Sequence, residues 1–322
     1  MQTSKYIFFR FRHAPEDKFF IFKKNQIPDN KIIKGSILWR RDGTTNKDNI
    51  IGILNPTSIS LKKFMNCIWS SKLVWKIVKS KFSVVINCGT EALQASLYAI
   101  DGKPGDEVLV PSFTFVATAN SVKYVGAKPV FVDILKDNYT MDPNDLRKKI
   151  TRRTKAIIPV HLYGHMAYMD EILEIAKKTN IKIIEDASQS LGSKLKGKHS
   201  GTFSQLGCFS LYGVKVITAG EGGDIVTDDK KLFEKLKQIR NHGLSKNNLT
   251  TTLGLNFRLS EIGAAIAKVQ MKKLPRLINE RKKNAQVLTE LLENHDAILP
   301  TQRKNETVNW YLYTIAIKNR NK

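Results

Sequence analysis

The sequence predicts an α/β protein built on a mainly parallel sheet with helices packed against it. Three observations carry that prediction. From residue 82 onward, short apolar runs alternate with segments of helical spacing, the pattern of a parallel sheet with crossover helices. The residues that look chemically active fall at the ends of those runs, where ligands sit in open α/β sheets. After residue 258 the pattern changes to one long amphipathic helix.

Taken in order, the strand candidates are residues 82–86, 107–112, 129–134, 156–161, 182–185, 207–211 and 223–227. Helical spacing covers 91–100, 114–124, 169–179 and 231–240. A last helix is expected from Leu259 to about Leu292, with Pro275 as a kink or break because proline has no N–H for the ladder. Residues 310–317 read as a strand, after which the chain ends on a basic tail. The first 80 residues give no clean period: 6–23 are aromatic and basic, 28–49 are loop-like, and 50–79 carry Trp69 and Trp75. The expected division is a divergent segment over 1–80, a large α/β domain over 81–257, and the start of a smaller, incomplete α+β domain over 258–322.

Composition narrows the function classes. The 322 residues are 42% hydrophobic and 25% charged, an ordinary globular balance. Cys67, Cys88 and Cys208 are widely spaced and form no CxxC pair, which argues against a disulfide framework or a zinc site and fits a reducing cytoplasm. No apolar run reaches the length of a membrane span. The net charge of +24 is a flag for nucleic acid. The basic residues are nevertheless scattered, mostly lysine, with no arginine-rich stripe. A field of that sign would favour an anionic substrate.

The chemistry-bearing segments are two. Asp186 ends the apolar strand of Ile-Ile-Glu-Asp-Ala-Ser-Gln at 183–189, and Lys215 lies in the run from Cys208 to a glycine cluster ending at Gly223. A strand-end carboxylate is costly unless paired, so Asp186 reads either as partner to a cationic group or as a helix-capping aspartate. A lysine on a later strand-to-loop turn is the group that can hold pyridoxal phosphate, with the aspartate as partner to the protonated pyridinium nitrogen. Gln189 lies one short turn beyond that aspartate. The turn at Asn-Cys-Gly-Thr, 87–90, leads into a helix expected to begin near Thr90. It reads either as an anion site, with Gly89 allowing close approach, or as an ordinary threonine N-cap. Phe115 reads either as a ring stacked on a flat cofactor or as packing beneath the sheet. Ser210 could point its hydroxyl towards a phosphate.

Seven ordered blocks resemble the DegT/StrS-type sugar aminotransferases, pyridoxal phosphate enzymes of the aspartate aminotransferase fold (fold type I), a three-layer sandwich. They are Asn-Cys-Gly-Thr-Glu-Ala-Leu at 87–93, Pro-Ser-Phe-Thr-Phe-Val-Ala-Thr-Ala-Asn at 111–120 and Gly-Ala-Lys-Pro-Val-Phe-Val-Asp at 126–133. Pro-Val-His-Leu-Tyr-Gly-His at 159–165, Glu-Asp-Ala-Ser-Gln at 185–189, Arg-Asn-His-Gly-Leu at 240–244 and Leu-Asn-Phe-Arg-Leu-Ser-Glu-Ile-Gly-Ala-Ala at 255–265 complete the set. The resemblance implies that Lys215 carries the cofactor as a Schiff base, Asp186 pairs with the ring nitrogen, Phe115 stacks on the ring and Gln189 faces its substituents. It implies that Gly89, Thr90 and Ser210 bind the phosphate. Asn256 would reach the phosphate of the neighbouring subunit, making a homodimer with shared sites.

What the resemblance implies about activity is amino transfer from a donor, glutamate in most relatives, to a keto sugar carried on a nucleotide. Lys215 would move the proton as general base and then general acid. Relatives that eliminate a hydroxyl have histidine in place of the lysine, so Lys215 argues for transamination. The 161–165 block is similar to that of enzymes making perosamine-type 4-amino sugars. The chain departs from the family pattern at Val216, where asparagine is common, at Gly213, and along most of its first 80 residues. Two other readings are therefore carried: a sugar dehydratase, and a non-catalytic regulator or nucleic-acid binder that keeps the scaffold.

Overall fold

The computed structural model describes residues 77–317 apart from 246 and 248, together with Val74 and four short strands within the first 54 residues. The chain falls into two compact units, Met1–Trp69 and Ser70–Lys322. In the first, β1 (Tyr6–Phe9) pairs antiparallel with β2 (Phe20–Lys23), and β3 (Ile37–Arg40) with β4 (Ile50–Leu54). These ribbons were not legible in a stretch without periodicity, and the remaining features expected there lie outside the described residues.

The second unit is a seven-stranded sheet between layers of helices. Its strands are β5 (Phe82–Ile86), β6 (Glu107–Pro111), β7 (Lys128–Val132), β8 (Thr154–Ile157) and β9 (Lys182–Asp186). After the short β10 (Lys194–Leu195) and β11 (Lys198–His199) come β12 (Leu206–Ser210) and β13 (Gly223–Thr227). The sheet order is β5-β13-β12-β9-β8-β6-β7. Only β13 runs against its neighbours. All seven strands were predicted, with ends shifted by a few residues.

Adjacent residues of the central strands enter different cores, which is the period of two that strands require. Val108, Val110, Ile184, Cys208 and Ile225 face one cluster with Leu93, Leu97, Leu236 and Ile239. Leu109 and Ile183 face another with Leu146, Met169, Ile172 and Ile175. Helices α1 (Gly89–Ala99), α2 (Ala117–Tyr124) and α5 (Lys230–Arg240) supply the first layer, and α3 (Pro143–Lys149) and α4 (Met169–Thr179) the second. Helix α6 (Glu261–Leu292) packs Met271 and Leu274 on Phe209, Leu211 and Val226. This is the three-layer arrangement of the prediction.

Near the end of the chain, the break allowed for at Pro275 is absent and the last strand is shorter than expected. Helix α6 continues through Pro275. Proline falls on its exposed side, where water can satisfy the carbonyl left without a partner, while Met271 and Leu274 anchor the buried side. The strand expected at 310–317 is confined to β16 (Ala316–Ile317), which pairs with β14 (Ala297–Ile298); between them β15 (Glu306–Thr307) joins β10. No helix among the described residues is long and apolar enough to cross a membrane.

Candidate active site

The cavity lies at the carboxyl ends of the parallel strands, and its volume is 650 Å³, within the range of small-molecule sites. Gly89, Thr90, Phe115, Asp186, Gln189, Ser210 and Lys215 all line it. Topology explains their meeting. Helix α1 starts directly after β5, Asp186 closes β9, and Ser210 closes β12. Because β12 and β13 are antiparallel neighbours, the loop between them stays on one edge of the sheet and brings Lys215 back over it. Asn256 is not among the lining residues; it bridges Asn241 instead.

One end of the cavity is built from a helix start. Cys88, not Thr90, caps α1, its Sγ accepting from the Glu91 N–H at 3.5 Å. Thr90 is therefore left to face the cavity within the first turn, where N–H groups lack intrahelical acceptors. Gly89 is sterically required. A Cβ there would stand 2.9 Å from Ser210 Cβ and 3.3 Å from Ser188 Oγ. The backbone turn and the serine form a cradle that any side chain would fill.

At the other end, Asp186 is buried. Its Oδ2 accepts the Thr118 hydroxyl at 2.9 Å and its Oδ1 the Ser188 N–H at 3.1 Å. Thr118 has one proton and gives it to the carboxylate, so the Thr114 hydroxyl, 3.0 Å away, donates to Thr118. Behind this layer Glu185 is fully buried and accepts from His161 Nε2, Gly201 N, Ser204 N and Ser204 Oγ. The Ala167 N–H donates to His161 Nδ1, which leaves the ring proton on Nε2, facing Glu185. The neighbouring carboxylates thus point opposite ways: Glu185 is spent on the scaffold and Asp186 faces the cavity.

Gln189 is oriented by the backbone. Its Oε1 accepts the Tyr163 N–H at 2.8 Å, leaving the NH2 group as its free polar function. Tyr163 has φ 57°, an unusual region for a bulky residue. Phe115 is 69% exposed, so it lies on the cavity rather than beneath the sheet. Burial pushes the Lys215 amine below the ordinary lysine range, and the Asp186 charge pulls it part of the way back. Sequence reasoning missed Thr118, Ser188, Tyr163, Tyr311 and Leu312. Thr118, Ser188 and Tyr163 stand within blocks that carry the family resemblance, whereas Tyr311 and Leu312 lie outside all of them. Among the described residues, no group of three or more His, Cys, Asp or Glu could hold a metal ion.

These features fit a flat, anionic, aldehyde-bearing cofactor: an anion cradle at one end, a buried carboxylate at the other, an exposed ring beside them and a depressed lysine between. Residues 71–322 match the DegT/DnrJ/EryC1/StrS aminotransferase family. The chain belongs to that family. It is 36% identical over 242 residues to GDP-perosamine synthase of Escherichia coli O157:H7, which covers 74% of this chain and 66% of that protein. It is 44% identical over 213 residues to UDP-N-acetyl-3-dehydro-alpha-D-glucosamine 3-aminotransferase of Acidithiobacillus ferrooxidans, over 66% of this chain and 58% of that one. The crystal structure of S. venezuelae DesV superposes with TM-score 0.77 and 34% identity, over 79% of this chain and 70% of that chain. The chain thus spans about two thirds or less of the length of these curated relatives. Members of this aminotransferase family are pyridoxal phosphate-dependent.

Proposed function

We propose that this chain binds pyridoxal phosphate at Lys215 and transfers an amino group from a donor, glutamate, to a nucleotide-linked keto sugar for glycan biosynthesis. The observation that carries the reading is the gathering of Lys215, Asp186 and the Gly89–Ser210 cradle around one 650 Å³ cavity. When bound, the cofactor supplies an electron sink for carbanion chemistry. The chain's own residues do the rest. Asp186 holds a proton at the ring nitrogen, stabilised there by Thr118 and the Ser188 N–H. Gln189 donates from its NH2 group, because Tyr163 occupies its oxygen. Gly89, Thr90 and Ser210 bind the phosphate. The Lys215 Nζ, shifted down by burial, has a larger neutral fraction near pH 7 and can take a proton from the donor's α-carbon and return it.

Partner and compartment complete the proposal. Asn256, outside its own chain's cavity, reaches the phosphate of a second copy in a homodimer, and the dimer works in the cytoplasm. Supporting the dimer, Ile262, Ile266 and Val269 form an exposed apolar row near the start of α6, of the kind that marks interaction surfaces. The test is an absorption titration with pyridoxal phosphate, followed by borohydride reduction and peptide mapping of one sample and addition of glutamate to a second, unreduced sample. A visible band trapped by reduction on Lys215 and lost with glutamate supports the reading. In Lys215→Ala the fold should persist and no reduced adduct should form. A reduced adduct on any other lysine overturns the assignment.

A further inference from the structure

The cavity has one wall that neither the strand ends nor the resemblance supplies. It is Tyr311 and Leu312, from the segment after β15. The Lys215 Nζ lies 4.6 Å from the centre of the Tyr311 ring, within reach of a cation–π contact. The same ring, with Gln189, Ser210 and Asn309, also closes a small gap behind the lysine.

The segment is fixed with unusual care. Asn309 is fully buried. Its NH2 group donates to the carbonyls of Gln189 and Leu191, its backbone N–H donates to Ser193 Oγ, and its Oδ1 accepts the Tyr311 N–H. Gly164 leaves the space for it, since a Cβ there would collide with Asn309 Oδ1. Between them Trp310 has φ 51°. That conformation costs a bulky residue free energy and persists only where the surroundings over-determine it. Trp310 is held edge-on to His165, and Arg281 of α6 donates to the Trp310 and Tyr311 carbonyls at 3.2 and 3.1 Å. A segment needed only to cover the sheet would not require a left-handed tryptophan and two long-range side-chain clamps.

We propose that Tyr311 is a positioning residue for Lys215: its ring face confines the amine to the cavity floor and keeps water from it, and Asn309 and Arg281 hold the ring in place. The inference rests on the proposed role of Lys215. The other titratable groups lining the cavity are Cys88, Tyr163, Asp186, Tyr212, Glu221 and Tyr311 itself. Of these, Asp186 opposes the effect of burial on the lysine. The ring therefore acts in two directions. Excluding water favours the neutral amine, and its π face favours the ammonium, with burial the larger influence.

The test uses cofactor-free protein, so it does not depend on turnover. The pH dependence of Lys215 labelling by trinitrobenzenesulfonate is read from its peptide in wild type, Tyr311→Phe, Tyr311→Ala and Tyr311→Leu, each checked for a cooperative melt. Wild type and Tyr311→Phe should share a midpoint below that of an ordinary lysine. Tyr311→Ala should rise by about one pH unit as water enters. Tyr311→Leu, which keeps the burial without the π face, should fall below wild type and serves also if the alanine variant does not fold. Unchanged midpoints in both the alanine and leucine variants overturn the proposal. Borohydride trapping of pyridoxal phosphate on Lys215 in those same variants would confine the failure to Tyr311. Normal labelling shifts with no trapping in wild type would instead sink the cofactor reading.

Discussion

Thr118 Oγ1 donates to Asp186 Oδ2 at 2.9 Å, and Thr114 stands behind Thr118 as its own donor. Two hydroxyls, Thr114 just before α2 and Thr118 in its first turn, therefore fix the orientation of the buried carboxylate. Removing the hydroxyl from Thr118 leaves a buried oxygen short of a partner, at a cost of about 1–3 kcal/mol. Thr118→Ala should lose roughly tenfold or more in amino-transfer rate, and Thr118→Ser should recover most of it. Asp186→Asn should keep cofactor affinity while the rate collapses. Half-reaction rates measured by absorbance check both. Thr118→Ala turning over like wild type would remove the threonine from the site.

The Glu185 carboxylate, with four donors converging on it, is expected to matter for stability rather than chemistry. Glu185→Gln replaces one acceptor oxygen with an NH2 group facing N–H donors. Leaving a buried donor without its acceptor costs about 1–3 kcal/mol. Denaturant melts should show a loss of that order without a change in the wavelength of bound cofactor. A variant as stable as wild type would mean that the network contributes nothing net.

Asp224 on β13 sets a pH dependence of folding. Its Oδ1 accepts from Ser83 at 2.6 Å, its Oδ2 has no protein partner, and burial pushes its carboxyl up to about 7 from the ordinary 3.8. The native chain therefore keeps this proton over a pH range in which the unfolded chain has released it. Stability from this group is complete below about pH 4 and is lost as pH rises through about 7, by on the order of 4 kcal/mol. Asp224→Asn, neutral at every pH, should flatten that part of the curve. Melts of both proteins at pH 5 and pH 8 check it: the gap between them should widen at the higher pH, and a constant gap would exclude the titration.

What could be read from the chain follows from how local the cause is. Asp186 and Ser210 close strands whose apolar runs are visible residue by residue, and Gly89 opens a helix directly after a strand. Those positions follow from short-range pattern and the rule that ligands sit at strand ends. Tyr311 has no such rule. Its place depends on Asn309 finding the Gln189 carbonyl 120 residues away, and on Arg281 reaching over from α6. The run 310–317 reads as a strand because it is aromatic and aliphatic, yet only Ala316–Ile317 finds a strand partner, while Trp310 and Tyr311 are held by the Arg281 and Asn309 side chains. Thr90 misled in a smaller way, since a threonine at a helix start is an N-cap by default, and here the thiol of Cys88 takes that place.

The sharpest steric prediction concerns Gly89. Its φ is not in the left-handed region, so alanine is allowed by the backbone and only space decides. The new Cβ would meet Ser210 Cβ at 2.9 Å, an atom fixed to a central strand and unable to swing aside. Relief must come from the start of α1, moving the first-turn N–H groups out of register with the anion they are expected to bind. Gly89→Ala should therefore fold, with a modest loss of stability of about 1–3 kcal/mol from overpacking. Its affinity for pyridoxal phosphate should weaken by at least tenfold, and its affinity for inorganic phosphate as a competitor should weaken in parallel. Equilibrium titration with each ligand separates the outcomes. Parallel weakening places the anion in this cradle. Undiminished binding of both would mean that the phosphate is held elsewhere, and that the assignment of Gly89, Thr90 and Ser210 is wrong together.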